Sequence, residues 1–230
     1  MSGGVDTVSD GIAMSRIFIT GGMGYLGSRL IPRLVARGHE VRALVRPASD
    51  PKLHGVCPTV HGDPLVKESF ARHIPPADTF VYLVGVPHPS PRKAREFRSI
   101  DLVSIRAAVA ASMEGGIRHF IYLSAAHPAP VMKDYIAVRA EGEATIRAAG
   151  LHATILRSWY VLGPGHRWPA LLLPAYWILE RIPRTLETAT RLGLVTLEQM
   201  LSALIASVES PCAAIRVLEV PEIRAEGPPS

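Results

Sequence analysis

Apolar residues at 17–19 lead into a glycine turn, and beyond it Leu30, Leu34 and Val35 recur at the spacing of a helix over 28–37. Gly38 ends that helix, and the apolar run 41–45 begins a second strand at once. The alternation continues. Residues 56–61 read as a strand closed by Gly62-Asp63-Pro64, 65–73 as a short helix, and 78–84 as a fourth strand, nearly all apolar and so buried on both faces. Ile100, Val103, Ala107 and Ala110 set a helical period over 92–114 that stops at Gly115-Gly116. Residues 117–124 form a fifth strand, 133–149 a helix ending at Gly150, and 152–157 a sixth strand. Strands and helices in this order predict an α/β fold, a doubly wound parallel sheet. Such a sheet binds its ligand at the carboxyl ends of the strands, where the strand order reverses. Those ends carry Gly21, Arg46, Asp63, Val84, Gly85, Ser124 and Ser158.

Past Gly163-Pro164-Gly165 the alternation stops, and 164–230 reads as a small carboxyl-terminal extension covering the substrate side. Trp168, Leu171, Leu172, Tyr176, Trp177 and Leu179 either cover the sheet as core or line a pocket above it. Thr196-Leu197-Glu198-Gln199 matches a capping box for a helix through Met200, Leu204 and Val208, and 215–220 reads as a last strand. Residues 1–14 are expected to form a disordered leader, leaving 15–230 as one domain.

Composition narrows the function. At 230 residues and 48% hydrophobic, the chain can bury one sizeable core. The net charge of +5 comes almost wholly from scattered arginines and suits an anionic ligand. A nucleic-acid partner is not expected, since no basic helix, zinc-finger spacing or aromatic RNA-binding motif is present. Cys57 and Cys212 are too few to staple a secreted fold, so a cytoplasmic protein is expected. The most apolar stretch, 171–179, contains Pro174 and falls far short of the about 20 residues of a membrane span. The nine histidines show no ligand spacing with cysteine or carboxylate, so no metal is expected.

The first glycine turn carries the most chemistry. In Thr20-Gly21-Gly22-Met23-Gly24-Tyr25-Leu26-Gly27, Gly21, Gly24 and Gly27 allow a tight turn, close approach of the backbone to a pyrophosphate, and close packing of the next helix. The orphan N–H groups of that helix then face the ligand's negative charge. At the end of the second strand an acidic residue would hold a ribose 2′-hydroxyl, whereas an arginine accommodates a 2′-phosphate. Here Arg46 stands there and the first carboxylate is Asp50, so NADP(H) is expected rather than NAD(H).

Tyr135 and Arg139, four apart on a helix, share a face and can meet around one ligand. A cation beside a phenol favours the phenolate and helps it pass a proton to or from a carbonyl oxygen. Ser124, at a strand end, can bond the same oxygen. Taken singly, the tyrosine also reads as packing and the arginine as solvated surface.

The order of these motifs resembles the short-chain dehydrogenase/reductase superfamily, in particular its atypical and extended, epimerase-like members. The resemblance runs from the glycine turn through Gly62-Asp63, Ile121-Tyr122-Leu123-Ser124, Tyr135-x-x-x-Arg139 and Ile155-Leu156-Arg157 to Gly163-Pro164-Gly165. It implies a Rossmann sheet, Asp63 by the adenine, Ser124 orienting a substrate carbonyl and Tyr135 as the catalytic acid. It also implies a lysine where Arg139 stands, binding the nicotinamide ribose; arginine keeps the charge but exchanges a compact ammonium for a planar fork. The expected activity is an NADP(H)-dependent oxidoreductase or epimerase-like reaction on a carbonyl or alcohol of a small-molecule substrate. The alternative is a non-catalytic NADP(H)-binding redox sensor or regulator. The short region after Gly165 implies a small pocket, or one completed by another subunit of a homo-oligomer. His166 is a further candidate proton donor at that pocket.

Overall fold

The computed structural model describes residues 14–46, 53, 55–87, 89–129, 131–164 and 193–227. Residues 1–13 of the expected leader, Asp50, Gly165, His166 and the apolar segment 168–179 therefore lie outside the described residues.

The amino-terminal unit consists of β1 (Arg16–Thr20), α1 (Gly27–Ala36), β2 (Glu40–Val45) and β3 (Thr59–His61). Then come 3₁₀ turns at Lys67–Ser69 and Ala71–His73 where one short helix was expected, and β4 (Thr79–Tyr82). The expected helix over 92–114 is a composite: a 3₁₀ turn at Pro91–Lys93, α2 (Ala94–Glu96), a π-helical turn at Phe97–Leu102 and α3 (Val103–Glu114). After it follow β5 (His119–Ala125), α4 (Lys133–Ala148) and β6 (Ala153–Ser158). The chain closes with β7 (Tyr160–Leu162), β8 (Leu194–Thr196), α5 (Leu197–Glu209), β9 (Ile215–Leu218) and α6 (Val220–Ala225).

Among the described residues seven strands form one sheet in the order β3-β2-β1-β4-β5-β6-β9, every neighbouring pair parallel. The order reverses between β1 and β4, which makes the gap past Thr20 and Tyr82 the switch point of a doubly wound sheet. Its two faces are both buried. Leu30, Ile31 and Leu34 of α1 pack with Met200, Leu204 and Val208 of α5 against one face. Ile105, Ala108 and Val109 of α3 pack with Val138 and Ile146 of α4 against the other. This is why the strands read as continuous apolar runs.

Two helix faces differ from expectation. Val35 is 37% exposed and Ile31 takes its place in the core; on α3, Val103 is 40% exposed while Ile105, Ala108 and Ser112 are buried. The capping box is present: the Thr196 hydroxyl accepts from the Gln199 N–H at 3.2 Å, and the Gln199 side chain accepts from the Thr196 N–H at 2.9 Å. A small parallel pair, β7 with β8, and the terminal α6 had no counterpart in the pattern reading.

Candidate active site

Past β1 the chain turns through Gly21 at φ +77°, in the left-handed region that favours glycine. A Cβ there would stand 2.6 Å from the Leu83 carbonyl group in the segment after β4. At Gly27 a Cβ would meet the Gly21 oxygen at 2.5 Å and the Gly22 Cα at 2.6 Å, so α1 starts in direct contact with the loop. Gly24 also has its added Cβ 3.1 Å from the Gly21 oxygen. Leu26 is the N-cap of α1; no side chain caps the helix, and its first turn carries no acidic residue. The Ser28 N–H bonds the Gly24 carbonyl at 3.1 Å and the Arg29 N–H that of Leu26 at 3.0 Å, so it is the positive dipole end of the helix that faces an external anion. These features of Thr20 to Gly27 fit a dinucleotide's diphosphate. Replacing Gly27 with alanine pushes rigid backbone apart, at about 1–3 kcal/mol. Affinity for the reduced nicotinamide dinucleotide is then expected to fall roughly tenfold by fluorescence titration, and an unchanged Kd would refute this role.

The other predicted contacts also sit past strand ends. Arg46 is exposed just beyond β2. Asp63, exposed beyond β3, accepts the Leu65 N–H at 2.9 Å while its own N–H bonds the Ser69 hydroxyl at 2.9 Å, which fixes that turn. Val84 and Gly85 follow β4, and Ser158 ends β6, buried.

Tyr135 and Arg139, on the first two turns of α4, are brought together: the guanidinium carbon lies 5.1 Å from the Tyr135 ring centroid. Phe97 meets the other side of the dyad, edge-on to the Tyr135 ring at 5.1 Å. The Tyr135 hydroxyl has no hydrogen-bond partner among the described residues. Arg139 is not solvated surface: its side chain is 7% exposed, and it donates to the carbonyls of Leu123 at 3.2 Å and Val84 at 3.5 Å. Its fork also stands 3.5 Å from the Asp101 carboxylate. Burial works against its charge, but the Tyr135 and Tyr122 phenols and Asp101 outweigh that and hold it well above the ordinary range. Burial pushes the Tyr122 phenol up to about 12, and its hydroxyl donates to the Arg139 carbonyl at 3.4 Å.

Ser124 is placed differently from the substrate-facing role that the resemblance implied. It is 3% exposed, and its hydroxyl donates to Glu143 on α4 at 2.7 Å. Glu143 also receives Arg157 from β6 through two bonds, at 2.9 and 2.5 Å, and lies 3.3 Å from His127 Nε2. Arg157 extends the chain to Glu219 at 2.9 Å. Burial pushes the Glu143 carboxyl up, yet the bonds from Arg157 and Ser124 outweigh it and hold it below the usual carboxylate range. Asp101, His127 and Glu143 were missed as site residues. For Glu143 a signal existed, since it continues the spacing of four from Tyr135 through Arg139 on one helix face.

Comparison with known proteins agrees with this geometry. The family described as NAD(P)H-binding matches residues 21–165. The ceramide reductase of Caulobacter vibrioides is 27% identical over 218 residues, 92% of this chain and 66% of that protein. The 3-beta-hydroxysteroid dehydrogenase of Mycolicibacterium neoaurum is 29% identical over 116 residues, 47% of this chain and 31% of that enzyme. The chain thus spans less than two thirds of the length of these relatives. Among solved structures, the Bordetella bronchiseptica enzyme WbmH in complex with NAD+ superposes with a TM-score of 0.68 at 19% identity, covering 90% of this chain and 76% of that one, a likeness of fold. With its glycine cradle at the switch point of a parallel, Rossmann-type sheet, the chain belongs to the NAD(P)H-binding family.

Proposed function

We propose that the chain is an NADP(H)-dependent oxidoreductase that interconverts a ketone and a secondary alcohol on an apolar, lipid- or sterol-like molecule. The observation that carries this reading is the Tyr135–Arg139 contact beside the switch point, with the phenol hydroxyl free of hydrogen bonds among the described residues. Thr20 to Gly27 hold the diphosphate, Arg46 takes the 2′-phosphate, Asp63 lies by the adenine, and Val84, Gly85 and Ser158 border the nicotinamide end. Bound there, NADPH supplies a hydride. Tyr135 passes its hydroxyl proton to the substrate oxygen, and the Arg139 charge stabilises the phenolate left behind. Ser124 can assist that oxygen only by releasing Glu143, so Tyr135 carries the proton transfer.

The substrate class rests on two supports. The named relatives act on a ceramide and on a 3-beta-hydroxysteroid, and residues 168–179 are rich in Trp, Leu and Pro. Among the described residues no helix is long and apolar enough to cross a membrane.

NADPH oxidation followed at 340 nm against long-chain ketones, 3-ketosteroids and, as controls, sugar nucleotides tests the reaction. Turnover confined to the sugar nucleotides would refute the substrate class. Tight NADPH binding with no turnover on any of them would refute the enzyme and favour a redox sensor. For the cofactor, Arg46→Glu is expected to raise the Kd for NADPH about tenfold or more and that for NADH by less than about threefold. Equal changes would remove the NADP(H) preference.

A further inference from the structure

The π-helical turn Phe97–Leu102 touches both members of the dyad. Turns of this type insert one extra residue into a helix and are frequent at functional sites. Here Phe97 leans on the Tyr135 ring at 5.1 Å, and Asp101, its side chain 1% exposed, stands 3.5 Å from the Arg139 fork. The carboxylate is itself fixed, because Asp101 Oδ1 accepts the Val86 N–H at 2.9 Å while its backbone carbonyl accepts from the Tyr82 hydroxyl at 3.2 Å. Gly85 completes the arrangement: a Cβ there would stand 2.6 Å from Arg139 Nη2 and 3.9 Å from Asp101 Oδ1. Asp101 Oδ2 and Arg139 Nε are both buried without a hydrogen-bond partner among the described residues. Placing a carboxylate so deep is costly unless its charge is used.

We propose that Asp101 is the positioning residue of this site: it tethers the Arg139 guanidinium beside the Tyr135 ring and offsets part of its charge, so that the two form a unit acting on the tyrosine. The inference rests on the Tyr135–Arg139 reading of the site. A lone flexible cation at position 139 could turn toward any nearby acceptor. The fork held by Asp101, Leu123 and Val84 has one orientation, and a carboxylate beside it sets how much positive field reaches the phenol. The charged and titratable groups facing the fork are Tyr135 from its own helix, Tyr122 from β5, Tyr82 from β4 and Asp101 from the π turn. Asp101 supplies the negative charge among them.

Spectrophotometric titration of tyrosinate in the cofactor-free protein tests this, with the Tyr135 step defined by its difference from Tyr135→Phe. Asp101→Asn is expected to move that step about one unit lower, since the guanidinium then acts without its counter-charge. In an Arg139→Gln background, where no guanidinium is left for the carboxylate to orient, the same Asp101 change is expected to move it by clearly less. Equal shifts in both backgrounds, or none in either, would overturn the coupling. Should Asp101→Asn alone fail to fold, Asp101→Asn/Arg139→Gln, which removes both charges, is expected to recover a cooperative thermal transition. A double variant as unfolded as the single would also overturn it. These readouts need neither substrate nor turnover, so an enzyme reading that fails leaves this test intact.

Discussion

Tyr135→Phe is expected to lower kcat by about 10²- to 10⁴-fold, the range that a positioned general acid supplies, while leaving the NADPH Kd within about twofold. The substitution removes one oxygen. The aromatic ring stays, with its edge contact to Phe97 and the Arg139 guanidinium beside it. Since the hydroxyl has no hydrogen-bond partner among the described residues, its loss orphans no buried group there, and stability should change by less than about 0.5 kcal/mol. Rate, binding and stability thus respond separately. A variant that keeps full kcat would show that another group donates the proton, and one that loses NADPH binding in proportion would make Tyr135 a cofactor contact only. Single-turnover absorbance at 340 nm with a fluorescence titration distinguishes the three.

Why Tyr135 was legible in the sequence and Asp101 was not is a matter of range. Gly21, Gly24 and Gly27 act within one turn of chain, and Tyr135 and Arg139 meet because a helix places residues four apart on one face. The Thr196–Gln199 cap is equally local, and it formed as the spacing required. Asp101 finds Arg139 across two elements, and the residues around it, Ile100, Leu102 and Val103, read as an ordinary apolar helix. The π turn between α2 and α3 leaves no mark in composition. Alanines at 107, 108, 110 and 111 spread the apolar signal around α3, so the period that put Val103 inward could not choose between faces. Residues 65–73 have apolar positions but too few turns to repay helix nucleation, and they settle as two 3₁₀ turns. Strands of three residues, such as β7 and β8, are set by their partner rather than by their own pattern.

Glu143→Gln is expected to be the most destabilising of these substitutions, by about 3 kcal/mol, because it breaks a buried pair by neutralising one partner. The Glu143 side chain is 5% exposed and that of Arg157 is 17% exposed. An amide in the same place cannot accept both Arg157 bonds and the Ser124 hydroxyl as strongly as a carboxylate does, and among the described residues Arg157 keeps only Glu219 as counter-charge. For a chain of this size the loss corresponds to a fall in Tm of roughly 6 to 12 °C at neutral pH. The pH dependence follows from the direction of the shift. Glu143 is held below the usual carboxylate range in the folded protein, so the folded state binds its proton less readily than the unfolded state does. The stabilisation is therefore complete above the unfolded value of about 4.3 and is lost as pH falls through the lower folded value. The Tm difference between the wild-type protein and Glu143→Gln should shrink below about pH 4. A difference that persists unchanged into acid would mean that the network stabilises through packing, with Glu143 acting by its shape rather than its charge.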